Sequence, residues 1–237
     1  GGIKMTIAVF VSIWSVGVSS TDMNEYFLGS PLDFLKANAG VHAVDIYTPE
    51  AGEVLFKDEA PSPAIIVQFD MHDADAALAL TGSTEFLDKF TNKEKLGAGI
   101  EEVKLELTEA INYALPGQES APPRTAPFSF VVRYYGPVED GALFADFYCE
   151  NHPPILAHFP NIRNVFCYKP LNSSTSGEID DARLLIGNEV VFDDLAALNN
   201  AMQSDVVEGA RADHDKFQKY GSSTHHPFHR ERVFSRD

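Results

Sequence analysis

A chain of 237 residues with 44% hydrophobic and 11% aromatic content has the composition of an ordinary globular protein, which excludes disorder as its general state. Its formal net charge of −17, with no Lys/Arg stripe to offset it locally, disfavours both nucleic acid and an anionic membrane surface as partners. The two cysteines, Cys149 and Cys167, have neither metal-ligand nor redox spacing, which suits a reducing, cytoplasmic setting in which thiols serve as small core residues.

Met5 reads as the start of the protein proper, with Gly1 to Lys4 a remnant ahead of it. The apolar run that follows lacks a signal peptide's basic region and small-residue cleavage site, so Thr6 to Trp14 reads as a first strand. No other stretch is long and apolar enough to span a bilayer. Next come a helical pattern from Thr21 to Ala37, strands at Ala43 to Tyr47 and Ala64 to Phe69, a helical pattern from Asp73 to Phe90, and a strand near Val103 to Leu107. From Leu115 to Pro127 four prolines and small polar residues exclude a helix or a central strand, which makes this stretch a linker. Beyond it the pattern resumes with a strand at Phe128 to Tyr135 and a helix from Gly141 that Pro153 is expected to end at His152. Strands follow at Asn164 to Tyr168 and Leu184 to Phe192, joined through an irregular stretch around Asn172 to Gly177 that carries an N-x-S match without meaning in a cytosolic protein. A long helical stretch from Leu195 to Tyr220 and a last strand near Phe228 to Phe234 complete the chain.

The two halves nearly repeat at an offset of 121 positions: Tyr47 falls on Tyr168 and Pro49 on Pro170 without a gap. At the same offset Trp14 stands opposite Tyr135, and Pro31 opposite His152. A phenol and an imidazole in the second copy are thus an indole and a proline in the first. Each copy reads β-α-β-β-α-β, the split βαβ or ferredoxin-like pattern of an α+β fold, with helices on one face of a four-stranded antiparallel sheet. Its other face needs a cover, and a second copy supplies one. The expectation is two tandem ferredoxin-like domains, residues 5–114 and 128–237 around a linker at 115–127, closing into an intramolecular α+β barrel. The first is structural and the second carries the site. Full closure predicts a monomer, and an apolar face left uncovered a homodimer.

The residues Tyr135-Gly136-Pro137, then Phe147-Tyr148 with His152-Pro153, then Pro160-Asn161-Ile162-Arg163, resemble the EthD-like families of the dimeric α+β barrel superfamily. Those families show a strand-ending Tyr, an aromatic pair, a His followed by Pro, and a P-G-L-R-like turn in which Asn161 here stands where Gly is frequent. Most of residues 128–234 follows that pattern. The first copy lacks the Tyr and the His. The resemblance implies His152 as a proton shuttle and Tyr135 as a group that holds an oxygen.

Physically, an imidazole takes and returns protons at neutral pH, and a phenol at a strand end suits an oxyanion-type site. Each residue also has a structural reading, His152 as the partner of a carbonyl freed by the proline and Tyr135 as a sheet residue. Tyr148, Asn151, His158, His214 and His226 are the further candidates for substrate contact. Asn151 suits a helix end, His158 a pocket or the surface, and His214 with Asp213 a second acid/base pair. In His225-His226-Pro227-Phe228-His229 an extended chain puts His225 and His229 on one face and His226 on the other. That offers no three-ligand metal set. No nucleotide-binding or serine-hydrolase motif is present in the sequence.

The resulting expectation is a cofactor-independent isomerase, lyase or cyclase for a small carbonyl, lactone or aromatic-derived metabolite, with aromatic catabolism among the settings the resemblance implies. The alternatives are a haem- or oxygen-using monooxygenase of the same superfamily, and a non-catalytic small-molecule-binding accessory protein.

Overall fold

The computed structural model describes residues 5–56, 60–172 and 177–236; Gly1 to Lys4 and most of the N-x-S stretch lie outside them. In chain order the elements are β1 (Thr6–Ser15), α1 (Ser20–Leu28), α2 (Ser30–Ala37), β2 (Ala43–Pro49), β3 (Ile65–Met71), α3 (Ala74–Thr81), α4 (Thr84–Phe90), α5 (Lys93–Leu96) and β4 (Ile100–Asn112). The second half supplies β5 (Phe128–Val138), α6 (Gly141–Leu156), β6 (Asn164–Pro170), β7 (Leu184–Phe192), α7 (Leu195–Ala201), α8 (Val206–His214) and β8 (Tyr220–Ser235). The hydrogen-bonded strand order, β1-β3-β2-β8-β5-β7-β6-β4, is that of a closed barrel.

The chain forms two compact units, Gly1–Glu50 with Pro61–Glu109 and His229–Asp237, and Ala51–Ala60 with Ala110–Phe228. In the first, β3 lies antiparallel between β1 and β2, with Val44 facing Phe69. In the second, β7 lies antiparallel between β5 and β6, with Val165 facing Val190. These two pairings are 121 positions apart on both strands, so the sequence repeat and the strand register coincide. Every residue of β7 is buried, a run such as a strand covered on both faces requires.

Both long helical patterns of the first half are broken. Gly29 separates α1 from α2, whose second residue is Pro31, a residue that fits a helix start because its missing N–H would be unpaired there anyway. The side chain of Ser83 accepts from Phe86 N at 3.2 Å and starts α4 afresh. The stretch from Leu195 to Tyr220 is likewise two helices rather than one. Ser204 Oγ donates to Ala201 O at 2.7 Å and closes the first of them, and Tyr220 already belongs to β8.

The expected end of α6 at His152 is also corrected, because the helix runs on through Pro153 and Pro154 to Leu156. Pro153 has no N–H for the carbonyl of Cys149, four residues back, which would be a costly orphan inside the fold. The Tyr113 hydroxyl donates to that carbonyl at 2.8 Å instead. Past the helix, Asn161 has φ 61°, the left-handed region in which Gly is at ease and Asn tolerable. That is the position where the resembled families often place Gly.

Candidate functional site

The second unit contains a cavity of about 350 Å³, bounded by α6, α8, strands β5, β7 and β8, and Phe56 from the loop after β2. The strands contribute by alternation: Phe130, Val132 and Tyr134 of β5 line it, and so do Ser223 and His225 of β8. The helices contribute by the i, i+3, i+4 rule, with Val207, Ala210, Arg211 and His214 forming one stripe of α8.

His152 projects from α6 into this cavity, and its Nδ1 lies 2.9 Å from Oδ2 of Asp213, at the end of α8. Only 7% of His152 and 5% of Asp213 is exposed. A carboxylate accepts and does not donate, so Nδ1 carries the hydrogen and Nε2 is left as the nitrogen with a free lone pair. The imidazole is flanked by the rings of Tyr148 and Phe217, with centroids at 4.9 and 5.2 Å. Burial among them pushes the His152 pKa below its ordinary 6.5, while the hydrogen bond to Asp213 and its charge pull it back up. The outcome is an imidazole that is neutral at pH 7 and backed by a carboxylate that stabilises the cation formed when it takes a proton.

A second polar pair lies in the same cavity: His214 Nε2 and the Tyr220 hydroxyl share a hydrogen bond of 2.7 Å. Tyr134 packs edge-on against Tyr220, with ring centroids 5.0 Å apart. Burial raises the pKa values of Tyr134 and Tyr148 above 10.0, so both phenols remain protonated and can donate to a ligand oxygen. The Asn188 side chain donates to Phe166 O at 3.0 Å, which fixes the amide against the cavity wall.

Of the residues expected from sequence, His152, Tyr148 and His214 meet in this cavity, and the others do not. Tyr135 is buried in β5 outside the lining, where a bulge between Tyr134 and Tyr135 shifts the register and strand alternation presents Tyr134 instead. Asn151 is an exposed residue within α6, not its last, and its amide donates to Phe147 O at 2.9 Å. His158 is exposed in the turn after α6. His226 is buried outside the lining and its neighbour His225 faces the cavity, while His229 is exposed and pairs with Glu50. Among the described residues no three His, Cys, Asp or Glu side chains are grouped to hold a metal ion. Asp213 serves His152, not His214 as its place in the sequence suggested. A sixty-one-residue separation hides that pairing from any local pattern, and nothing in the sequence marks Phe56 as a cavity residue.

A haem group would not be enclosed by this cavity. His152 with its carboxylate partner is an acceptable axial ligand in type. Yet about 350 Å³ lies near the small end of small-molecule sites, roughly 300–1,000 Å³, and a porphyrin with its side groups needs more.

No protein-family profile matches the chain, and no curated protein matches it in sequence. Solved structures do match it. An anthrone oxidase-like protein superposes with a TM-score of 0.68 at 11% identity, covering 98% of this chain and 94% of its own. A protein assigned as a monooxygenase from Lactobacillus acidophilus gives 0.53 at 11% identity, covering 96% and 94%. A dye-decolorizing peroxidase from Bacteroides thetaiotaomicron gives 0.53 at 8% identity, again covering 96% and 94%. Their names are those of oxidative enzymes, which overturns the isomerase, lyase or cyclase expectation and agrees better with its alternative, a haem- or oxygen-using monooxygenase. At these identities the likeness is one of fold, and by that likeness the chain has the ferredoxin-like α+β barrel fold.

Proposed function

We propose that the protein is an oxidative enzyme that uses molecular oxygen on a small, largely apolar aromatic ketone or phenol carrying an acidic C–H or O–H group. The observation that carries this reading is the buried His152–Asp213 pair opening on an aromatic-lined cavity. Nε2 of His152 takes a proton from a CH₂ group activated by an adjacent carbonyl or ring, and Asp213 stabilises the imidazolium. The Tyr134 hydroxyl donates to the oxygen on which negative charge gathers, and the Tyr220 hydroxyl does so too when His214 Nε2 carries the hydrogen of their shared bond. The electron-rich anion then reduces O₂. For a CH₂ flanked by aromatic rings the balance is one CH₂ and one O₂ giving one C=O and one H₂O, with the proton on His152 returned to the departing oxygen.

Finer readings accompany it. The aromatic pair, His152 and Asn161 support an EthD-like affiliation. The shared register at an offset of 121 supports a tandem duplication, in which residues 5–114 and 128–237 descend from one domain around the 115–127 linker. The partner is a small molecule, and the chain acts in the cytoplasm as a monomeric pseudo-dimer.

Anthrone is the substrate to try, since an anthrone oxidase-like protein shares the fold. Purified protein is expected to consume oxygen and form the quinone in equal amounts without added cofactor, and His152→Ala to lower the rate by about 10²-fold or more. Added haemin should give no protein-dependent Soret band. Oxygen uptake that His152→Ala leaves unchanged removes the base from the mechanism, and no uptake on anthrone and related phenols retires the reading.

A further inference from the structure

Among the described residues Arg211 is the one Lys or Arg in the cavity lining, and no Asp or Glu of the described residues lines it. It lies on the cavity stripe of α8, one turn after Val207 and one turn before His214, so helix geometry directs its base to the cavity side while its head is exposed. Other arginines of this unit are occupied: Arg163 pairs with Asp193 and Arg183 with Asp181, and Arg133 is buried over the Tyr168 ring. Among the described residues the Arg211 guanidinium has no such carboxylate, although Glu208 and Asp215 stand one turn away on the same helix.

We infer that Arg211 is a specificity-determining residue that receives a carboxylate on the substrate at the cavity mouth, so that the substrate is an aromatic acid whose ring system lies among Tyr148, Phe130 and His225. This rests on the proposed reaction for the reacting end of the molecule but not for the anion. The net charge of −17 does not oppose it. Surface charges are screened beyond about 8 Å at physiological ionic strength, so the adjoining guanidinium dominates at contact distance. A guanidinium matches a carboxylate with two parallel donors, which a neutral substituent cannot use.

Binding of anthraquinone-2-carboxylate and of anthraquinone-2-carboxamide, followed by tyrosine fluorescence quenching, reads the anion without requiring turnover. The expected result is about tenfold tighter binding of the carboxylate, a preference that Arg211→Gln abolishes while carboxamide affinity stays within about twofold and that Arg211→Lys partly keeps. A preference that rises at low salt and fades at high salt supports the contact. Equal affinities in the unaltered protein, a preference that survives Arg211→Gln, or binding of neither compound overturns it. Carboxylate preference without oxygen uptake on any substrate leaves the anion site standing and removes the reaction, and oxygen uptake without preference does the reverse.

Discussion

At the scale of single residues, Asp213 decides what His152 can do. Burial lowers the imidazole's pKa and the carboxylate partly restores it, so the neutral base persists below pH 6.5. The acidic limb of kcat/KM should therefore lie below pH 6.5. Asp213→Asn removes the negative charge that raises the pKa, which moves the limb to still lower pH, and it puts an amide that can donate as well as accept against Nδ1, so the tautomer with Nε2 as the base is no longer enforced and kcat falls by about 10²-fold or more. A rate profile between pH 4.5 and 8 checks both. Asn161 is a purely structural case: with φ at 61°, Asn161→Gly should leave stability within about 1 kcal/mol, while Asn161→Ala should cost about 1 kcal/mol in urea unfolding. The sequence made His152 legible because a His before Pro after an aromatic pair is a local pattern. It pointed to Tyr135 rather than Tyr134 because two adjacent strand residues differ only in which face they meet, and the alternation that puts Phe130 and Val132 on the cavity side puts Tyr134 there too.

At the scale of elements, α6 shows why helix boundaries were the weakest part of the sequence reading. A proline ends a helix when the carbonyl it strands has no other partner. Here Tyr113, thirty-six residues from Cys149, supplies the partner. Tyr113→Phe should thus cost about 1 kcal/mol in urea unfolding. In the Pro153→Ala background the restored N–H can reach the Cys149 carbonyl, so the same change should cost about half as much or less. A double-mutant cycle measures the difference, and equal costs in both backgrounds would show that the hydroxyl does not substitute for the missing N–H. The strands were more legible than the helices: alternating and continuous apolar runs placed six of the eight to within three residues at each end, while β4 runs five residues past its expected end to Asn112 and the polar first half of β8 hid its start at Tyr220.

At the scale of the whole molecule, neither compact unit is one continuous stretch: the first takes its last segment, His229–Asp237, from the far end of the chain, and the second takes Ala51–Ala60 from the first half. A fragment of residues 128–237 should therefore fail to fold alone, with neither near-ultraviolet dichroism nor a cooperative melt, and the full chain should unfold in one transition by both probes. A sharply melting fragment would show that the borrowed segments are dispensable. The repeat was visible in the sequence, but this exchange was not, because similarity along a chain carries no information on which neighbour a loop joins. The loop after β2 brings Phe56 against His225, with ring centroids 4.7 Å apart, and Asn199 holds it through Leu55 N at 3.0 Å and Glu53 O at 3.1 Å. It is consequently an engineering handle: the range of compounds admitted can be altered by editing a few residues far in sequence from every other residue of the site, leaving the base, its carboxylate and the phenols untouched.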